Sequence, residues 1–259
     1  MAAPEVSLQL IVFGERTVKN PSQTFSEVRT AGFAAVEAGN LFKMFGEERA
    51  RTLLEENSLG VSGAHFGYGD YSSAENLAAN IGYASVLGIK HMMCSGIANG
   101  SIEGYKESAA VFTRVGKILS DSGIRFSYHN HDWEFKDLGG GVTGMDILLA
   151  ETDPATVYFN MDVFWLYYAG LNPAAFIRSH LGRAVYYHFK DGRIAHNSEG
   201  KPYPEFIELG QGEVDLATSM NAALEAGAEW IVCEQDRTSL DPAESARISR
   251  TYLKDKFFL

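Results

Sequence analysis

The chain has 259 residues, 46% hydrophobic and 21% charged, with a formal net charge of −11. That length supports one large core and suits a single (β/α)8 barrel, while the acidic excess repels phosphate backbones and argues against nucleic acid as a partner. Cys94 and Cys233 form no C-x-x-C pair and no disulfide framework. The opening Met1-Ala2-Ala3-Pro4-Glu5 lacks a leader pattern and no apolar run is long enough to span a bilayer, so a cytoplasmic protein with buried free thiols and no membrane partner is expected.

Short apolar runs alternate with amphipathic stretches along the whole chain. Residues 6–13 read as the first strand. Asn20-Pro21-Ser22 then opens a helix with Phe25, Val28 and Ala31 on one face, closed by Gly32. Strands are predicted over 33–38, 61–66, 90–94, 125–131, 157–164, 185–190 and 230–234, each a short β-prone run. Helices are predicted over 46–58, 72–87, 102–122, 143–152 and 215–226, with further helices opened by Asn172-Pro173 and Asp241-Pro242. Residues 191–213 are left as a long loop. Eight strand-then-helix units imply parallel strands with crossover helices, and eight in this length imply a closed (β/α)8 TIM barrel, one domain over residues 1–259. The first strand carries neither a G-x-G-x-x-G run nor a P-loop lysine, so nucleotide binding has no sequence support.

In such a barrel the chemistry belongs where strands run out into the loops that follow them. Polar residues at those ends are Glu37, His65, the 128–134 run Tyr-His-Asn-His-Asp-Trp-Glu, Asn160 with Asp162, His188 with Lys190 and Asp191, and Glu234 with Asp236. Residues two apart share a strand face, so Asp162, His188 and Glu234 are predicted to point inward, where an unpaired charge is costly. A bound cation would offset that cost, and mixed imidazole and carboxylate donors suit Mn²⁺, Co²⁺, Zn²⁺ or Mg²⁺. Singly, each residue has a plainer role: a core histidine, or an acidic helix cap at Asp132 or Asp236. The aromatics Phe159, Phe164, Trp165, Tyr167 and Tyr168 read as core and barrel rim, or as a wall for a sugar ring. Convergence of four adjacent strands on one barrel end favours the metal.

These residues resemble the xylose-isomerase-like barrel superfamily, in its sugar phosphate isomerase/epimerase branch, over nearly the whole chain. The carriers are Gly32-Phe33 before Val36-Glu37, the run from Tyr128 to Phe135, Met161-Asp162, His188-Phe189-Lys190-Asp191, the Gly-Gln-Gly-Glu-Val-Asp run over 210–215, and Val232-Cys233-Glu234-Gln235-Asp236. The resemblance implies metal ligands Asp162, His188 and Glu234. The family's strand-five glutamate has His129 in its place here, and Glu134 just beyond is expected to complete the carboxylates as ligand and acid/base group. It implies a divalent metal, most simply Mn²⁺, that chelates a carbonyl while Glu234 removes the neighbouring proton, and Glu134 or His129 returns it. His65, His131, Lys190, Glu37 and Asp236 would bind substrate. Lys190 is equally read as an ion-pair partner of Asp191 or Asp162, His65 as a support for Glu37, and Arg237 as a rim group able to hold a phosphate.

The function so implied is a metal-dependent isomerase or epimerase acting on a keto sugar or keto-glycoside. One alternative is a lyase or hydratase that eliminates the aglycone of a 3-keto-glycoside, and another is a non-catalytic accessory subunit of a sugar-processing complex. The expected partner is a small sugar or glycoside, with a homo-oligomer or partner subunit left open. The lack of a phosphate cradle favours an unphosphorylated substrate.

Overall fold

The computed structural model describes residues 3–259. Ten strands are numbered in chain order: β1 (Glu5–Gln9), β2 (Ala35–Ala38), β3 (Gly60–Gly67), β4 (His91–Ser95), β5 (Arg125–His129), β6 (Val157–Asp162), β7 (Tyr186–Phe189), β8 (Asp191–His196), β9 (Pro202–Ile207) and β10 (Trp230–Cys233). Eight of them close a parallel barrel in the order β1-β10-β7-β6-β5-β4-β3-β2, with helices around it. Among the described residues no helix is long and apolar enough to cross a membrane.

Period-two alternation decides what fills the barrel. On β1, Val6 and Leu8 join the large core between strands and helices, while Ser7 and Gln9 take the other face. Ser7, Ser62 and Tyr186 form a hydroxyl cluster inside the barrel, with Ser62 Oγ 2.7 Å from Ser7 Oγ and 3.0 Å from the Tyr186 hydroxyl. Tyr186 packs with Met93 and Val232. Gly63 makes room for them, because a Cβ there would lie 2.5 Å from Met93 Cε and 2.8 Å from the Tyr186 hydroxyl. Two residues further along each strand, the next inward layer is polar: Gln9, Glu37, His65, His129, Asp162, His188 and Glu234.

The helices follow from amphipathic spacing and caps. Ile102–Asp121 buries Tyr105, Phe112, Val115 and Leu119 on one face, and complete burial of one such aromatic stabilises by about 2–3 kcal/mol. Thr143 and Asp146 form a reciprocal capping box, and Pro21, Pro173 and Pro242 each enter the first turn of a helix.

Three differences from the sequence reading bear on the barrel mouth. The first strand ends at Gln9 and residues Leu10–Phe13 form a 3-10 turn. The sixth ends at Asp162, whose side chain caps a helix over Val163–Tyr168. The loop expected over 191–213 contains an antiparallel hairpin, β8 paired with β9 from Asp191 opposite Ile207 to His196 opposite Pro202.

The Gly-Gln-Gly-Glu-Val-Asp run has a clear physical role at the base of that hairpin. The buried Asp191 carboxylate accepts four backbone N–H groups: Gly192 at 2.8 Å and Val214 at 3.1 Å on Oδ1, Gly210 at 2.9 Å and Gly212 at 3.0 Å on Oδ2. Such charge-assisted bonds are stronger than neutral ones. The chain must approach closely to make them. A Cβ on Gly212 would stand 2.2 Å from Asp191 Oδ1, and Gly210 combines φ of +83° with a would-be Cβ 2.2 Å from the Tyr252 ring. Asp191 is therefore occupied by the backbone and is not the ion-pair partner of Lys190. Asp191→Ala should lower unfolding free energy by at least about 3 kcal/mol, since several buried donors lose their acceptor at once; urea unfolding of variant against parent measures it.

Candidate metal centre and active site

Four side chains meet at the C-terminal mouth of the barrel. His129 from β5, Asp162 from β6, His188 from β7 and Glu234 just after β10 each offer a ligand atom, all within 4.8 Å of one another, and all four residues are buried. Local structure fixes the aspartate. Its Oδ1 accepts from the N–H groups of Phe164 at 2.8 Å and Trp165 at 3.0 Å, capping the helix that follows, while its own N–H donates to Asn130 Oδ1 at 3.0 Å. Its Oδ2 is buried with no aligned hydrogen-bond donor, as is Nδ1 of His129.

His188 joins two carboxylates, with Nδ1 2.5 Å from Glu234 Oε2 and Nε2 2.8 Å from Glu37 Oε2. The other oxygen of Glu37 accepts from Gln9 Nε2 at 2.9 Å and lies 3.1 Å from His65 Nδ1. Glu37, His65 and His188 thus make a second set of candidate donors that shares His188 with the first. Lys190, buried, lies 3.3 Å from Asp162 Oδ2, 3.3 Å from Glu234 Oε2 and 3.1 Å from Asp236 Oδ2. Its ammonium also sits 5.1 Å from the Trp165 ring centre and 5.4 Å from that of Phe206, so the hairpin contributes to the lysine's surroundings.

The electrostatics follow from this crowding. Burial alone would raise Glu37, but His188 and His65 outweigh it and hold the carboxyl at about 2. Burial would likewise depress His188, yet Glu37 and Glu234 lift it to about 10. Glu234 is pushed upward by burial and more strongly downward by Lys190 and His188, ending well below the usual carboxylate range. Burial lifts Asp162 to about 6 against the opposing pull of Lys190. His129 is depressed well below its ordinary value by burial and by His188, and His131 falls to about 3 through burial and Lys190, so both are neutral imidazoles.

The donor set fits a divalent cation. Four carboxylates, those of Glu37, Asp162, Glu234 and Asp236, converge on His188 and Lys190. Asp162 Oδ2 has the Lys190 ammonium at 3.3 Å but no hydrogen bond, and His129 Nδ1 has no hydrogen-bond partner. Two imidazoles with two carboxylates suit Mn²⁺, Co²⁺ or Zn²⁺ better than an all-oxygen Mg²⁺ site.

Glu134 lies elsewhere. The chain leaves β5 at His129 and turns through a 3-10 segment, Trp133–Phe135, which aims the glutamate away from the cluster. Its fully buried carboxylate accepts from the Tyr128 hydroxyl at 2.5 Å and from the His131 N–H at 2.8 Å. Glu134 thus buttresses the strand-five loop; it was expected to complete the ligands and act as an acid/base group, and it is not among the grouped donors, whereas His129 is. Burial raises Glu134 to about 7, against the pull of its two donors.

The open space beside the cluster is a cavity of about 360 Å³ bounded by His65, His129, His131, Glu234 and Asp236, with Gln9 alongside. Of the expected substrate-binding residues, His65, His131 and Asp236 line it, whereas Lys190 and Glu37 stand behind the lining. Arg237 stacks 5.7 Å from the Phe206 ring centre and does not line the cavity. Gln9 escaped the sequence reading, and Asn130 was named there only within the strand-five run, with no role of its own. The signal for Gln9 was a polar residue at an inward position of an apolar strand; for Asn130 it was the amide between two histidines at a strand end.

Fold and site together define a TIM barrel with a buried histidine–carboxylate cluster at the catalytic end of its strands. Residues 25–256 match the family described as xylose isomerase-like TIM barrel, and the chain belongs to that family. It is 27% identical to an inosose dehydratase of Geobacillus thermodenitrificans, over 90% of this chain and 88% of that protein. Among solved structures, a sugar phosphate isomerase/epimerase from Parabacteroides distasonis superposes with a TM-score of 0.81 at 18% identity, covering 99% of each chain. The IOLI protein, solved with a bound zinc atom, gives 0.73 at 14% identity, covering 97% of each chain.

Two outcomes are expected. Asp162→Asn keeps an oxygen for the helix cap but removes the anionic one that faces the cluster, so Mn²⁺ or Zn²⁺ affinity should fall by at least roughly tenfold; titration calorimetry on metal-free protein measures it. For Glu134, the folded pKa of about 7 exceeds the ordinary 4.5, so the unfolded chain releases this proton first as pH rises. Its contribution to stability is full below about 4.5 and lost as pH climbs through about 7, a decline of about 3 kcal/mol. Glu134→Gln should remove that decline, seen as a smaller drop in urea midpoint between pH 5 and pH 8 than in the parent.

Proposed function

We propose that the chain is a divalent-metal-dependent isomerase or epimerase that removes a proton next to the carbonyl of a keto sugar or keto-glycoside. The observation that carries this reading is the placement of Glu234, which borders both the cavity and the four-residue donor cluster. The family match supports action on a sugar-like substrate. A bound divalent metal would supply a Lewis acid that stabilises negative charge on a substrate oxygen, held by His129, Asp162, His188 and Glu234.

The chain's own groups account for the rest. Glu234 stays ionised at neutral pH and is the base. Lys190 fixes the orientation of Glu234 and Asp236 through ion pairs of 3.3 Å and 3.1 Å and remains protonated in doing so. His131, neutral and on the cavity wall, donates a hydrogen bond to a substrate oxygen without needing to ionise. The Trp133 ring stacks on it, 3.9 Å between centres at 15°, and the Glu134 carboxylate anchors its backbone N–H. His65 and Asp236 complete the polar contacts to hydroxyl groups.

A second reading is elimination of a β-substituent after the same proton abstraction, which would make the chain a dehydratase or glycoside lyase. It is favoured by the inosose dehydratase relatives and by the three imidazoles of His65, His129 and His131 that share the cavity lining with Glu234 and Asp236.

Proton NMR in D2O with Mn²⁺-loaded protein tests both readings on ketohexoses, inososes and 3-keto-glycosides. The expected result is metal-dependent deuterium uptake beside the carbonyl, with a new epimer or isomer under the first reading and a released substituent under the second. Glu234→Gln should slow uptake by roughly 10²-fold or more. Uptake unchanged in that variant would sink the assignment of the base.

A further inference from the structure

The cavity lining combines two kinds of side chain. Besides the polar groups, it includes Leu10, Ile11, Gly14 and Val18 of the segment after β1, together with Ala38 at the end of β2 and Met44 beyond it. The 3-10 turn Leu10–Phe13 and the short helix Arg16–Lys19 bring the first group to the mouth, and the helix Leu41–Phe45 brings Met44. Three of these side chains are large, apolar and exposed: Ile11 at 45%, Val18 at 56% and Met44 at 43%. Scattered singly, such exposure would be ordinary. Here all three border one concavity that also contains Glu234 and His131.

Charge narrows what that wall can meet. Among the described residues, no lysine or arginine lines the cavity, and Lys190 behind it is held by three carboxylates. A phosphate would therefore find acidic groups and no cationic side chain on the wall. The cavity, at about 360 Å³, falls in the range of roughly 300–1,000 Å³ occupied by drug-sized ligands, which are gripped by apolar walls and oriented by a few polar groups.

We infer that the site takes an unphosphorylated sugar carrying an apolar substituent, with the ring against the polar groups and the substituent against Ile11, Val18 and Met44. The inference rests on the function proposed above and deepens it by naming the substrate class: a glycoside with an apolar aglycone. The wall removes apolar surface of the substituent from water, and Met44, an unbranched and polarizable side chain, adapts to aromatic shapes. Ile11, Val18 and Met44 are not among the metal donors or the acid/base groups, so their substitution separates binding of the substituent from the chemistry.

The test compares phenyl and methyl β-glucosides by calorimetry on the Mn²⁺-loaded protein, parent against Val18→Ser and Met44→Ser. Both variants change exposed side chains, and unchanged far-ultraviolet circular dichroism confirms that they fold. The parent should bind the phenyl compound at least about tenfold more tightly, which is about 1.4 kcal/mol, and either variant should cut that preference to about threefold or less. Equal binding of the two glucosides, binding of neither, or a preference unchanged in both variants overturns the subsite. So does a dimer, seen by sedimentation, that buries Val18 and Met44 and dissociates in the variants. Deuterium exchange on unsubstituted keto sugars is followed in parallel. Exchange without phenyl preference sinks the subsite alone, whereas phenyl preference without exchange on any ketone leaves the subsite standing and sinks the proposed reaction.

Discussion

The structure turns on the burial of opposite charges in one inward layer of the barrel. Glu37, Asp162 and Glu234 are almost wholly removed from water, and so are His188 and Lys190. Desolvating such groups costs several kcal/mol each unless partners are supplied. The chain supplies them from every side: Gln9 and His65 on Glu37, a helix N-terminus on Asp162, and Lys190 between three carboxylates. The layer beneath is committed to the same end. Tyr186, Met93 and the Ser7–Ser62 pair fill the barrel at the cost of a glycine at position 63, and so give the charged layer a closed base.

A buried cluster of this kind is over-supplied with anions relative to its fixed cations. In the metal-free state His188 takes up the imbalance by holding a proton to about 10. A divalent cation bound at the four donors would compete for that place, because a ligating imidazole must give up the proton on its ligating nitrogen. Lys190 would still balance Asp236, which it contacts at 3.1 Å. One arrangement therefore serves two states, and this accounts for a lysine so close to prospective metal ligands: it moderates the repulsion among carboxylates that the cation alone would have to offset.

Much of the barrel was legible because its grammar is local. Pro21, Pro173 and Pro242 open helices, Gly32 and Gly88 close them, and the strands between are short runs with period two. The inward positions of Asp162, His188 and Glu234 followed from that period. What failed was local grammar overruled by context. The apolar residues Val163 and Phe164, directly after Asp162, hid the end of β6, and only the capping character of Asp162 marks it. The β8–β9 hairpin was masked by Pro202 and Pro204, which ordinarily argue against a strand. The surroundings of Glu134 were not legible either, because sequence proximity to a strand end says nothing about a turn that brings the side chain onto Tyr128.

That last difference bears on chemistry. A second carboxylate facing Glu234 across the substrate would return a proton to carbon readily, which is what epimerisation needs. With Glu134 tied to Tyr128 and the His131 amide, the titratable groups that share the cavity wall with Glu234 are His129, His131, His65 and Asp236, the last paired with Lys190. An imidazole held neutral by burial, as His131 is, donates to oxygen rather than exchanging protons with carbon, so it steadies a developing oxyanion or a departing hydroxyl. Under the proposed reading, epimerisation would draw on Glu234 together with Asp236 or a histidine, whereas elimination would need one carbon-directed base and one oxygen-directed donor. The short turn after β5 thus places Glu134 outside the cavity and leaves Asp236 and three imidazoles within it beside Glu234.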